Sequence, residues 1–390
     1  MMAFFIQHGY GKSDKIQELA SAGSLAGVVL SPADEDQASL RATVSMCKEL
    51  GLETLLDPQT YVYSLSPVGS GKKHENHGLS FGPIHWSIGA SDQRAIVDAI
   101  RAANANVGIN GPYIAPSCLQ AGFDDVWTSL SVNLARAAAD RWGPEATIAT
   151  LLLDESALGN WSAISDWLDV ATTLDLRGFY LIVNRRSKDY PPRTWDYIKL
   201  ANLLRIIYIL SELNEYEIYF GYADIVGQLG IAVGATATAS GWHYGLRSFN
   251  QQKWQPQPAG GRAPAPRYFA GKLWTSLRAE PETDALLRLS LRDRIFRSGF
   301  VDYYDSSGLS DWTRSDAQIQ HLALLAERCA KIAGLATATE RVGLVMKSLE
   351  SAERLFAEIA TTGAVLPPDY RSQVATYRRA IDHLNDHESL

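Results

Sequence analysis

Four carboxylates and two histidines stand where short apolar runs of the chain end: Asp57, Asp154, Glu155, Asp224, His8 and His243. Two carboxylates facing one another across a cleft can act as acid and as base or nucleophile at a glycosidic bond. Asp154 and Glu155 are adjacent, so on a strand they point to opposite faces and only one can face a common centre. Its partner would then come from another run, as Asp57 or Asp224. The competing fate of each carboxylate is an ion pair with Arg185, Arg186 or Arg247. His8 and His243 end the first and last runs; each is either a base or a core histidine closed by hydrogen bonds. Polar side chains suited to holding a substrate stand at or just beyond the same ends: Gln59, Asn110, Asn184, Arg185, Trp242 and Arg247.

A second source of chemistry is charge. The chain carries a net −7, yet residues 241–279 hold Arg247, Lys253, Arg262, Arg267, Lys272 and Arg278 and no acid, which leaves −13 for the remainder. Trp242, Tyr244, Phe249, Trp254, Tyr268, Phe269 and Trp274 interleave with these cations. Cations bind phosphate oxygens and aromatic faces stack on bases, so the composition predicts a nucleotide or nucleic-acid substrate, with Arg247, Lys253, Arg262 and Arg267 on its phosphates. The alternative is a Pro/Gly-rich loop that folds back on the protein.

These residues need a frame. Apolar runs alternate with helical patterns: Ala3–Gln7, Gly27–Ser31, Glu53–Asp57, Val107–Asn110, Ile148–Asp154, Phe179–Asn184, Glu217–Gly221 and Ile231–Thr236. Short, continuous and bounded by turn residues, they read as strands buried on both faces. Between them, Asn160–Leu174 and Ser91–Ala103 carry apolar residues at helical spacing, and Ser13 is placed to cap the first helix. Eight such strands, seven of them followed by a helix, predict an α/β fold of the (β/α)8 TIM-barrel type over residues 1–250. A doubly wound sheet is the runner-up, but its first turn, GYGK at 9–12, is not GxGxxG. A basic, aromatic Pro/Gly-rich loop follows at 251–281 and a helical extension at 282–390. In such barrels chemistry sits at the C-terminal ends of the strands, and phosphate often binds after the seventh and eighth.

Other signals exclude more than they assign. The three cysteines, Cys47, Cys118 and Cys329, are widely spaced, which fits the cytoplasm and rules out a zinc cluster of CxxC pairs. No apolar run is long enough for a membrane span. The loop at 58–88 is long enough for a lid, but its GSGKK at 69–73 lacks the spacing and hydroxyl of a phosphate loop. His74, His77 and His85 raise a metal site that their spacing does not support, so neither metal nor cofactor is expected. The leading expectation is a transferase or hydrolase of glycosidic bonds acting on a nucleotide or nucleic acid. A glycoside hydrolase for neutral sugars and a non-catalytic assembly module are the alternatives. A protein partner or a second copy would dock on the C-terminal helices.

Overall fold

The computed structural model describes residues 3–23, 25–187, 189–255, 264–296 and 313–388. Arg262 lies outside them. The strands are β1 Phe4–Gln7, β2 Gly27–Leu30, β3 Glu53–Leu56, β4 Tyr113–Ile114, β5 Leu119–Gln120, β6 Thr147–Asp154, β7 Gly178–Asn184, β8 Glu217–Phe220 and β9 Ala237–Ser240. All pair in parallel, in the order β3-β2-β1-β9-β8-β7-β6-β4, with β5 pairing the far half of β6. In register, Phe5 of β1 stands between Gly27 and Ala239, and Asp154 stands opposite Asn184. The two ends of this sheet, β3 and β4, touch. No ladder joins them among the described residues, so the barrel is nearly closed. Most strand residues are buried, as continuous apolar runs require when helices cover one face and the barrel axis the other.

The helices alternate with the strands: α1 Lys15–Ser21, α2 Gln37–Glu49, α3 Ala90–Val107, α4 Val126–Trp142, α5 Trp161–Ala171, α6 Tyr197–Tyr208 and α7 Gly227–Ala232. Asn160 caps α5, accepting from the Ala163 amide. Ser13 does not cap α1: it sits at φ +48, its hydroxyl donates to Asp14, and Asp14 precedes the helix.

Two strands lie about six residues later than the sequence predicts. Val107 is the last turn of α3, buried in line with Ile96, Ile100 and Ala103, and Gly108 ends that helix at φ +92. The fourth strand is instead split into the short β4 and β5. Ile231 and Ala232 belong to α7, and after Gly234 the chain enters β9 as Ala-Thr-Ala-Ser. Small residues, not an apolar run, fill that last gap in the barrel.

Past β9 the chain makes a helical turn at Tyr244–Arg247, a 3-10 turn at Gln251–Trp254, and an antiparallel hairpin of β10 Arg267–Ala270 and β11 Thr275–Arg278. Three long helices follow: α8 Arg314–Ala333, α9 Ala338–Thr361 and α10 Pro368–Glu388. Capping boxes at Thr313/Asp316 and Thr337/Glu340 fix the starts of α8 and α9. Helix α8 packs on β1, α1 and α7, the place of the eighth barrel helix. The boundary expected at residue 250 therefore falls between the eighth strand and its helix, and one apolar core runs through barrel and tail. Gln320 of α8 ties the hairpin down, accepting from the Phe269 amide at 3.0 Å and donating to its carbonyl at 2.9 Å.

Candidate active site

The C-terminal ends of the strands carry three polar clusters. The first lies at the barrel mouth. Asp57, at the end of β3, is fully buried and accepts from the Gln59 amide and the Tyr61 hydroxyl, each at 3.0 Å, with the Tyr180 hydroxyl at 3.5 Å. Gly221 makes room for the Tyr180 ring, since a Cβ there would stand 2.6 Å from it. Burial pushes the Asp57 carboxyl up to about 6. Lys253 reaches this mouth: its ammonium lies 4.4 Å from the Tyr222 ring, 4.9 Å from Trp254 and 5.3 Å from Phe249. Burial lowers it to about 8, and its charge in turn draws Asp57 down. The long loop docks here too. The Ser70 amide donates to the Trp254 carbonyl at 2.8 Å, and Lys72 stands 3.5 Å from Asp34.

The second cluster is closed by its own ion pairs. Asp154 accepts from Ser156, Asn184 and Arg186. Burial alone would raise its carboxyl, but the bonds from Ser156 and Arg186 outweigh it and hold it below the usual range. Glu155 pairs with Arg185 at 2.9 Å, and that guanidinium stacks on Trp195 at 3.7 Å. Asn184 also accepts from the Gln251 amide at 2.9 Å, pinning the turn that carries Lys253. The ion-pair fate thus applies to Asp154 and Glu155, and Arg185 is occupied by Glu155.

The third cluster lines a cavity of about 450 Å³ between the ends of β7 and β8, the hairpin and α10. Its hub is the Tyr190 hydroxyl, which donates to Asp224 Oδ2 at 2.9 Å and lies 3.3 Å from both Arg247 Nη1 and Ser276 Oγ. His321 of α8 meets Asp224 Oδ1 at 2.7 Å through Nε2 and Ser276 Oγ at 3.4 Å through Nδ1. Burial, then the Arg247 charge, lower His321 to about 4, so near neutral pH it is uncharged. A neutral ring bonded to a carboxylate carries its proton on Nε2, leaving Nδ1 to accept from Ser276. Burial and the Asp224 charge raise the Tyr190 phenol beyond the range of neutral solution. Arg247 and Arg267 flank the Tyr190 ring at 5.3 and 5.9 Å. Arg267 donates to the Ser276 carbonyl at 2.7 Å and the Tyr370 hydroxyl at 3.1 Å. Neither arginine ion-pairs with a carboxylate among the described residues. The cavity wall holds five arginines and three aspartates; Arg185 and Arg278 pair with Glu155 and Glu282, which leaves Arg193, Arg247 and Arg267 without a carboxylate partner among the described residues.

The remaining expected residues sit apart from this cavity. Asn110 precedes β4 and is exposed, at the opposite end of the barrel from the chemistry expected of it. His8 is fully buried, 3.6 Å from Glu35. His243 is exposed and bonds the Tyr10 carbonyl at 3.0 Å, and the Trp242 ring packs against both histidines. Trp242, Phe249, Trp254, Tyr268, Phe269 and Trp274 are buried, so they are not a stacking platform for bases. To this extent the segment does fold back on the protein. His74 bonds Tyr63, His77 bonds the Glu35 carbonyl and His85 bonds Ser87. No group of three metal-binding side chains occurs among the described residues. No helix among them is long and apolar enough to cross a membrane.

Tyr190, Ser276, His321 and Tyr370 were not expected from sequence. The one signal was in α8, where Gln318, Gln320 and His321 interrupt an apolar run and are nonetheless buried. Buried polar side chains are costly without partners, so such a run marks a place where partners must exist.

No protein-family model matches the chain, and no curated protein matches it significantly. Among solved structures it is similar to that of dihydrodipicolinate synthase from Oceanobacillus iheyensis, at 10% identity over 97% of this chain and 96% of that one, with a TM-score of 0.31. A likeness at that score adds nothing to the barrel read from the strand pairing.

Proposed function

We propose that this protein is a barrel enzyme that binds a small phosphate-bearing substrate, a nucleotide or sugar phosphate rather than a nucleic-acid strand, in the cavity between β7, β8, the hairpin and α10. The observation that carries the reading is the pair of arginines, Arg247 and Arg267, which are buried with no carboxylate partner among the described residues and flank the hydrogen-bonded Tyr190–Asp224 pair. Buried charges are ordinarily paired, and an anion from solution completes these. In this reading Arg247 and Arg267 hold the phosphate. Asp224 acts as base and Tyr190 as acid, and neutral His321 keeps Asp224 oriented. The cavity size suits a small molecule. Trp242, Phe249, Trp254, Tyr268, Phe269 and Trp274 are buried, and half-buried Tyr244 is stacked on Tyr190 at 4.2 Å, which favours a small ligand over a polymer.

Titration calorimetry with AMP and with adenosine tests this. AMP should bind and adenosine should bind at least about tenfold more weakly; Arg267→Met should weaken AMP by about 10–100-fold, the worth of a charge-assisted hydrogen bond. Equal affinity for the two ligands, or an Arg267→Met variant that binds AMP like the parent, rejects the reading.

A further inference from the structure

A second cavity, of about 240 Å³, lies beyond Trp274 between the hairpin turn and helices α8 and α9. Trp274 is a wall of both cavities. Lys272, Arg328, Lys331 and Lys347 line the second one, and no Asp or Glu does. None of these four cations has a carboxylate partner within ion-pair distance among the described residues. Arg328 is held in place rather than solvated: Nε donates to Gln228, Nη2 lies 3.5 Å from Ser348 Oγ, and the guanidinium stands 4.7 Å from the Trp274 ring. Ser348 Oγ also accepts from Trp274 Nε1 at 2.9 Å. With its lone pairs facing these two donors, its own hydroxyl proton remains to donate.

Four like charges around one cavity repel one another, and a serine donor beside them has no acceptor among its bonds. A tetrahedral dianion removes both costs, taking a guanidinium, ammonium groups and a hydroxyl at once. We propose that this cavity is a second anion site that binds the phosphoryl group of a small molecule. Its charge calls for more than a single carboxylate. Its one aromatic lining residue, Trp274, is buried with its N–H already used, so the site offers no face for a stacked base and does not suit a nucleic-acid strand. The site is independent of the substrate reading above, since none of its four cations lines the first cavity.

The test uses the full chain carrying Arg267→Met, which weakens the first cavity, and titrates inorganic phosphate at constant ionic strength. Saturable binding of one phosphate is expected, weakened at least tenfold by Lys331→Ala with Lys347→Ala. Both lysines are exposed, so the fold should survive; Lys272→Ala, also exposed, is the second variant should the double one melt early. Absence of saturable binding, or binding that neither variant weakens, overturns the site. A single-stranded oligonucleotide that displaces phosphate at equal phosphate concentration overturns the small-molecule assignment. AMP affinity that Arg267→Met leaves unchanged, together with phosphate binding that the lysine variants weaken, would overturn the first cavity's reading and leave this one standing.

Discussion

Replacing Asp57 with Asn removes a charge that the barrel mouth holds at a cost. Burial moves this carboxyl from its ordinary 3.8 to about 6, despite bonds from Gln59 and Tyr61 and the charge of Lys253. Each tenfold change in proton affinity is worth about 1.4 kcal/mol, so the ionised carboxylate costs the fold about 3 kcal/mol at pH 7.5. On lowering the pH the native state takes up its proton near 6, whereas the unfolded chain waits until about 3.8. In that window the native state holds more protons, so this group makes the protein more stable as the pH falls. Between pH 7.5 and 5 the gain integrates to about 1–2 kcal/mol. The amide of Asp57→Asn keeps the shape and one acceptor oxygen, for the Gln59 amide, while its NH2 donates to the Tyr61 and Tyr180 hydroxyl oxygens; it has neither the charge nor the titration. The variant should therefore be more stable than the parent by about 1–3 kcal/mol at pH 7.5, and its advantage should be smaller by about 1–2 kcal/mol at pH 5. Urea unfolding followed by circular dichroism at the two pH values measures both. A difference between the two proteins that is the same at pH 5 and 7.5, or a variant less stable at pH 7.5, refutes the buried, costly carboxylate. A charge kept at the expense of stability is a mark of functional sites.

His321 gives the opposite slope. It is fully buried with its protonation pushed down to about 4. Below pH 6.5 the unfolded chain takes a proton that the native state refuses, so stability falls as the pH drops from 6.5 to about 4. His321→Gln should lack about 2–3 kcal/mol of this acid-side loss between pH 7 and 4.5, seen in urea midpoints; parallel losses in parent and variant would count against it. Gly221→Ala places a methyl 2.6 Å from the buried Tyr180 ring. It should destabilise the protein by about 1–3 kcal/mol, and an unchanged unfolding midpoint would show that the ring is free to move.

What was legible in the sequence followed from burial. Six of the eight barrel strands are buried apolar runs, and continuous apolar runs between amphipathic helices leave few other architectures. The fourth and eighth escaped for two physical reasons. The fourth is broken into two short ladders on one neighbour, β6, so no apolar run of strand length marks it. The eighth is Ala-Thr-Ala-Ser, whose small side chains carry no hydrophobic signal, while the more apolar Ile-Ala before it is the end of a helix. The site divides in the same way. Asp224 and Arg247 could be placed near one another from sequence because strand order brings the last strand ends to one side of the barrel, whereas Arg267, on the hairpin, stood out only by the charge of its segment. Asp154 was legible as a position, but its fate turned on Arg186 and Ser156, which neutralise it locally. Tyr190, Ser276 and His321 come from a loop, a hairpin and the eighth barrel helix, separated in sequence by 86 and 45 residues. They meet because α8 closes the barrel after a long excursion, and part of the excursion that drew attention by its charge builds the cavity wall. Most of its aromatics are spent on the core that fixes the hairpin; Arg247, Arg267 and Arg278 line the cavity, and Arg247 and Arg267 do so without a carboxylate partner among the described residues.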